Sequence, residues 1–221
     1  MELTPDLLTH HPILFLQALF HPESLQHILQ SWGWLAYVLL FAIIFMETGL
    51  FTFFLPGDSL LFIAGFVCSA SNSALNIWTL GPLLLFAAIA GNTCGYTIGH
   101  HMGPRIFTKD DSFWFNKKHL LRAQEFYEKH GGKTIIYAQF VPVLRTFAPL
   151  VAGAGSMRYT RFISFNVIGA ILWIGSMMTL GYFLGNLEIV RKNLEKAVLG
   201  IIVISVLPLV FEYLKSRRTS K

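Results

Sequence analysis

Residues 31–67 read SWGWLAYVLLFAIIFMETGLFTFFLPGDSLLFIAGFV. Apolar and small side chains fill this stretch apart from two carboxylates, Glu47 and Asp58, and a Pro56-Gly57 step divides it. As one helix rising 1.5 Å per residue it would reach roughly 55 Å, well beyond the ~30 Å of a bilayer core. Two full crossings and a turn would need more residues than it holds. The stretch therefore reads as a re-entrant hairpin, a pair of broken half-helices. A charge near mid-membrane costs about 2.5–3.5 kcal/mol on insertion scales. Two of them beside a backbone break point to a polar cavity rather than a lipid-facing wall. The competing reading has both carboxylates anchoring loops at the interface, and the apolar runs on either side of Glu47 argue against it.

Composition agrees. Hydrophobic residues make up 54% of the 221 and charged residues 13%, against about 25% charged in soluble domains; mean hydropathy is +0.56. The chain reads as an all-α integral membrane protein of one domain, too short for an added catalytic domain. The net charge of +5 sits in connecting segments rather than on one stripe, so nucleic acid is not an expected partner. Cys68 and Cys94 border apolar stretches without metal-ligand spacing, and no disulfide, metal or cofactor is expected.

In chain order, residues 1–30 hold no Lys or Arg and mix apolar with polar residues and prolines, which predicts short amphipathic helices at the interface. His10, His11, His21 and His27 read as surface titrating groups. A first repeat covers 31–103. Its span, Thr79 to Pro104, is free of formal charge, and Gly91, Gly95, Gly99 and Gly103 line one face as a helix-packing groove. Residues 104–133 form an amphipathic linker with seven basic and four acidic side chains. A second repeat covers 134–187: an apolar segment broken at Pro142 and Pro149 with Arg145 its sole charge, then a charge-free span from Phe162 to Leu187. Residues 191–221 supply a last transmembrane helix and a basic tail.

Pro56 and Pro142 lie 86 residues apart, as do Gly95 and Gly181, Tyr96 and Tyr182, and Gly99 and Gly185. Each unit then joins a re-entrant segment to one crossing, so the second is inverted relative to the first. Broken helices meeting at mid-membrane in inverted repeats are a transporter architecture. This arrangement collects thirteen basic residues on the side of the 104–133 linker, Arg158, Arg161 and the tail, against three opposite. The richer side is cytoplasmic by the positive-inside rule.

Phe45-Met-Glu-Thr-Gly, Phe54-Leu-Pro-Gly-Asp-Ser-Leu, Gly95-Tyr-Thr-Ile-Gly, Phe126-Tyr-Glu-Lys-His-Gly-Gly-Lys and Phe140-Val-Pro-Val-Leu-Arg-Thr together resemble the bacterial DedA family, relatives of the eukaryotic VTT-domain proteins. The resemblance covers roughly residues 30–190. It implies an inner-membrane protein with two opposed re-entrant hairpins. It also implies movement of lipids between leaflets, including the polyprenyl-phosphate carrier of envelope synthesis, with dependence on proton-motive force. Glu47 matches the family's acidic position, Asp58 the Pro-Gly-acid position, and Arg145 the arginine closing Phe-x-Pro-x-x-Arg. Gln139 and Asn92 depart from it, since many members carry arginine and often aspartate there. They read as a swapped pair of neutral partners.

The chemistry is coherent. A phosphate crossing a bilayer needs a cation, and a guanidinium offers a fork of donors suited to its oxygens. Desolvation favours a protonated carboxyl and a nearby arginine favours the carboxylate, so Glu47 and Asp58 could load and release a proton. Arg145, Gln139 and Asn92 are the candidate phosphate-binding residues, with membrane lipids and protons as partners and a homo-oligomer admitted. His100 and His101 near the end of their span could feed such a path, but plain interfacial side chains are the preferred reading. A lipid-phosphate hydrolase would need a convergent nucleophile and acid–base pair, and no Ser/His/Asp constellation recurs. A proton-coupled exporter of small cations or drugs would use the same carboxylates but leaves Arg145 without a role. A non-transporting membrane organiser leaves the internal charges unexplained.

The charge asymmetry fixes an expected topology, with the N-terminus and residues 69–78 periplasmic and residues 105–133 and the tail cytoplasmic. In a background lacking Cys68 and Cys94, an impermeant thiol reagent should label Ser71→Cys from outside intact cells and spare Lys117→Cys. The reverse pattern overturns the topology.

Overall fold

The computed structural model describes residues 22–49, 57–70, 73–106, 132–194 and 196–200. Every regular element among them is a helix. They are α1 (Pro22–Ser31), α2 (Trp34–Gly49), α3 (Gly57–Cys68), α4 (Ile77–Ile106), α5 (Lys133–Gln139), α6 (Pro142–Ala154), α7 (Tyr159–Leu184) and α8 (Glu188–Lys192). Residues 1–21, Pro56, most of the 104–133 linker and most of the C-terminal segment lie outside the described residues.

Length sorts the helices. The apolar helices α4 and α7 each contain a 26-residue stretch long enough to cross a membrane. At 16 and 12 residues, α2 and α3 reach only about 24 and 18 Å, short of a ~30 Å core. The 7 and 13 residues of α5 and α6 are shorter still than a crossing. Two long apolar helices thus accompany two pairs of short ones, in the order expected of a repeat.

The chain forms two compact units. One comprises Met1–Ile43, Pro56–Leu84 and Ile174–Lys221. Its centre is α3, buried at every position from Gly57 to Val67. Helix α1 packs on α3 and buries Leu25, Ile28 and Leu29. The part of the expected interfacial segment before Pro22 lies outside the described residues. The second half of α7 also lies against α3. A methyl at Gly181 would strike the Phe62 carbonyl, and Gly65 faces the Met178 backbone in the same way. Gly185 abuts Ser69 and Phe66. Close backbone approach of this kind is how helices associate where lipid supplies no hydrophobic drive. The Asn76 amide donates to the Tyr37 hydroxyl at 2.7 Å, tying the start of α4 to α2. Trp34 and Trp78, which open α2 and α4, are exposed, as interfacial aromatics are.

The other unit comprises Ile44–Leu55 and Leu85–Trp173. Here the second half of α4 runs antiparallel to the first half of α7. Tyr96 stacks on Phe162 at 4.5 Å and its hydroxyl donates to the Met157 carbonyl, while Asn92 meets Asn166 one turn further on. The two long helices therefore run in opposite directions. Gly91 lies against Phe45 and Thr48 of α2, Gly95 contacts Pro149, and Gly99 faces the Leu150 carbonyl of α6. Gly103 belongs to α4, but its surroundings fall outside the described residues. Each unit thus has the same makeup, a short helix packed against the glycine-rich second half of the other repeat's long helix.

Two sequence expectations need correction. The second apolar segment breaks at Phe140 and Val141, with Pro142 opening α6 where its missing N–H costs nothing. Pro149 does not break the chain. It lies inside α6, which loses one hydrogen bond there but keeps its course, with the ring facing Gly95 where an added methyl would come within 3.5 Å of it. The spans also shift by a few residues: α4 begins before Thr79 and ends after Pro104, and α7 runs from Tyr159 to Leu184 rather than from Phe162 to Leu187.

Gly99→Ala and Gly181→Ala should each destabilise the purified protein by about 1–3 kcal/mol, because backbone rather than a flexible side chain meets the new methyl. Gly175→Ala, with nothing within 4 Å, should be neutral or mildly stabilising. Thermal unfolding in detergent checks the contrast, and equal Tm values for all three would refute the packing account.

Candidate functional site

Arg145 is the fourth residue of α6 and only 1% exposed. The break before Pro142 turns its side chain toward the end of α5, where the last carbonyls of a helix lack intrahelical donors. Its Nη1 donates to the Gln139 carbonyl at 3.4 Å. Its Nη2 donates to Glu47 Oε1 at 2.7 Å, and that carboxylate is 2% exposed. The guanidinium carbon lies 4.0 Å from the centre of the Trp173 ring, and that ring is fully buried. Charge, hydrogen bond and π-face thus offset the desolvation of one cation.

Beside this pair stands a cluster of three buried amides. Asn92 Nδ2 donates to Asn166 Oδ1 at 2.7 Å, Gln139 Nε2 donates to the same oxygen at 3.4 Å, and Asn166 Nδ2 donates to the Ile89 carbonyl at 3.3 Å. Asn92 and Gln139 therefore do not bond to each other, as the swapped-pair expectation had it. Asn166 stands between them. Helices α2, α4, α5, α6 and α7 each contribute to this centre, through residues that all fall in one unit.

Glu47, Asn92, Gln139 and Arg145, each singled out from sequence, come together here. Asp58 belongs to the other unit, in the first turn of α3 and 8% exposed. His100 and His101 are exposed near the end of α4; His101 Nδ1 pairs with the Thr97 carbonyl at 2.9 Å and His100 stacks beside Tyr96 at 6.1 Å. Cys68 and Cys94 are free thiols. Among the described residues no cluster of His, Cys, Asp and Glu could hold a metal.

Sequence reading missed Asn166 and Trp173, although both left a signal. Asn166 is a strongly polar side chain within a charge-free span, where polar groups serve interhelical bonds. Trp173 sits well inside that span, away from the interfaces where tryptophan collects. Seven residues apart, they share a helix face with Gly169, whose missing side chain admits Gln139 Cγ and the Ile136 backbone.

Residues 55–183 match the VTT domain model. The chain is 47% identical to Protein DedA of Escherichia coli K12 over 89% of its own length and 90% of that protein. It is 43% identical to an uncharacterized membrane protein of Mycobacterium leprae, covering 81% and 82%. It is 32% identical to Inner membrane protein YqjA of E. coli K12, covering 79% of each. Names of that kind support a bacterial inner-membrane location. No solved structure matches the chain. The domain match and the relatives over most of its length show that this chain belongs to the DedA family of VTT-domain membrane proteins.

Proposed function

We propose that the protein moves phosphate-bearing lipids, a polyprenyl-phosphate carrier or a phospholipid, between leaflets of the bacterial inner membrane at the expense of the proton gradient. The observation that carries this reading is Arg145, a buried cation on a short helix whose partner is a titratable carboxylate. An anionic phosphate oxygen offers Nη2 what Glu47 Oε1 offers now, so the two ligands compete for one guanidinium. Protonation of Glu47 weakens its hold on Arg145 and favours the phosphate; loss of the proton favours release. Asp58, in the other unit, serves as a second proton-loading group. The pairs α2/α3 and α5/α6 act as opposed re-entrant hairpins, with the N-terminus periplasmic and the tail cytoplasmic. An exporter of small cations would gain nothing from a buried arginine. The activity is transport, without hydrolysis of the phosphate.

Reconstitution into liposomes holding a labelled phosphate lipid, with an imposed pH gradient, tests the proposal. Leaflet exchange should accelerate with the gradient, collapse with an uncoupler, and release no inorganic phosphate. Gradient-independent exchange, or none, refutes it.

The Glu47–Arg145 contact changes what the sequence predicts for Glu47→Gln, which would otherwise remove only a titratable group. Stranding Arg145 should cost about 3–5 kcal/mol and lower Tm as well as transport. Adding Arg145→Gln should restore much of the stability and none of the transport. Asp58→Asn should keep near-normal Tm while losing the gradient-driven rate. Wild-type transport in Asp58→Asn across a range of pH would remove Asp58 from the mechanism.

A further inference from the structure

One backbone oxygen fixes the orientation of the amide cluster. The Ile89 carbonyl can only accept, so the group it meets at 3.3 Å is Asn166 Nδ2 and Asn166 Oδ1 faces the other way. Asn92 and Gln139 both approach that oxygen, at 2.7 and 3.4 Å, and so both must present their NH2 groups to it. Their own carbonyl oxygens, Asn92 Oδ1 and Gln139 Oε1, are left buried with no hydrogen-bond partner among the described residues. Unpaired buried acceptors of this kind are costly and call for a donor. Arg145 is near, since its Nη1 contacts the backbone carbonyl of Gln139 itself at 3.4 Å. Arg145 is also the one cation buried among the described residues. The site therefore offers a single positive charge beside acceptors that lack a donor.

A phosphate monoester loses its second proton near pH 6. Its dianion would bring two negative charges to one guanidinium and set donorless oxygens against amide oxygens. Its monoanion carries one charge, matching Arg145, and one P–OH, matching Gln139 Oε1. We infer that the site selects the singly protonated phosphate monoester, so that a transported proton travels on the substrate as a P–OH donated to Gln139 Oε1. This rests on the phosphate-lipid transport proposed above. The headgroup takes its proton from water before entering and returns it to water after leaving, and no covalent bond to phosphorus changes. Of the groups facing the phosphate, Glu47 on α2 titrates and Arg145 on α6 stays charged. Asn92, Gln139, Asn166 and Trp173 from α4, α5 and α7 do not titrate; on α4, Tyr96, one turn from Asn92, is bonded to the Met157 carbonyl, and Cys94, two residues from Asn92, is a free thiol.

The test compares two lipids binding to the purified full-length protein in phosphatidylcholine nanodiscs. Phosphatidic acid is a monoester. Phosphatidylmethanol is a diester, a fixed monoanion without P–OH. Protonation of Glu47 affects both alike and cancels in the ratio of their affinities. That ratio should fall close to tenfold for each pH unit above about pH 6, following the monoanion fraction. Gln139→Arg, which adds a second cation, should flatten it. A ratio that is constant or rises with pH overturns the selection while leaving phosphate-lipid transport standing. Failure of both lipids to bind at any pH removes the transport reading and this inference with it.

Discussion

The 2.7 Å contact between Arg145 and Glu47 sets the terms for the rest of its unit. A guanidinium in an apolar interior is tolerable only if its hydrogen bonds are met and a counter-charge is near. Meeting them draws on α2 for the carboxylate, the end of α5 for a carbonyl and α7 for an aromatic face. In one straight helix from Lys133 to Ala154 the Gln139 carbonyl would accept from the backbone four residues on and be lost to Arg145. The break at Phe140 and Val141 is therefore part of the charge's environment, placing a buried helix terminus with a free carbonyl beside it.

Short helices carry this centre and glycines hold them in place. A bilayer gives helices no hydrophobic reason to associate, so backbone contact must do so. The Gly-Tyr-x-x-Gly of each long helix meets a short helix of the other repeat, Gly99 on α6 and Gly181 on α3. The repetition seen in sequence is thus a repetition of one packing solution.

Much of this was legible beforehand because the membrane makes the constraints severe. Length separated α4 and α7 from the short helices, and the glycine spacing announced close approach. Any internal charge demands an account, which marked Glu47, Asp58 and Arg145. What escaped were neutral contributors. Asn166 and Trp173 carry no charge, and their part depends on which residues face them, which periodicity cannot say. Pro149 misled for a related reason: proline interrupts an isolated helix, yet inside α6 the ring fits against Gly95 and the helix continues. The amphipathic α1 packs on α3, a contact that periodicity alone cannot assign because an apolar face is drawn equally to lipid and to protein.

A buried ion pair is a poor device for stability alone, because apolar residues of similar volume often do as well or better. Yet this chain pairs Arg145 with Glu47 and buries three amides in the same unit, one of them, Gln139, meeting Arg145 through its backbone carbonyl. Amides cannot neutralise the pair. They supply oriented dipoles and acceptors that keep their character whether Glu47 is charged or not. Such surroundings suit a site whose charge state changes in the working cycle. An apolar shell would penalise the moment at which Arg145 and Glu47 separate, and a shell of further charges would lock them together. The neutral polar cluster lies between those extremes, which fits the exchange of partners at one guanidinium proposed above.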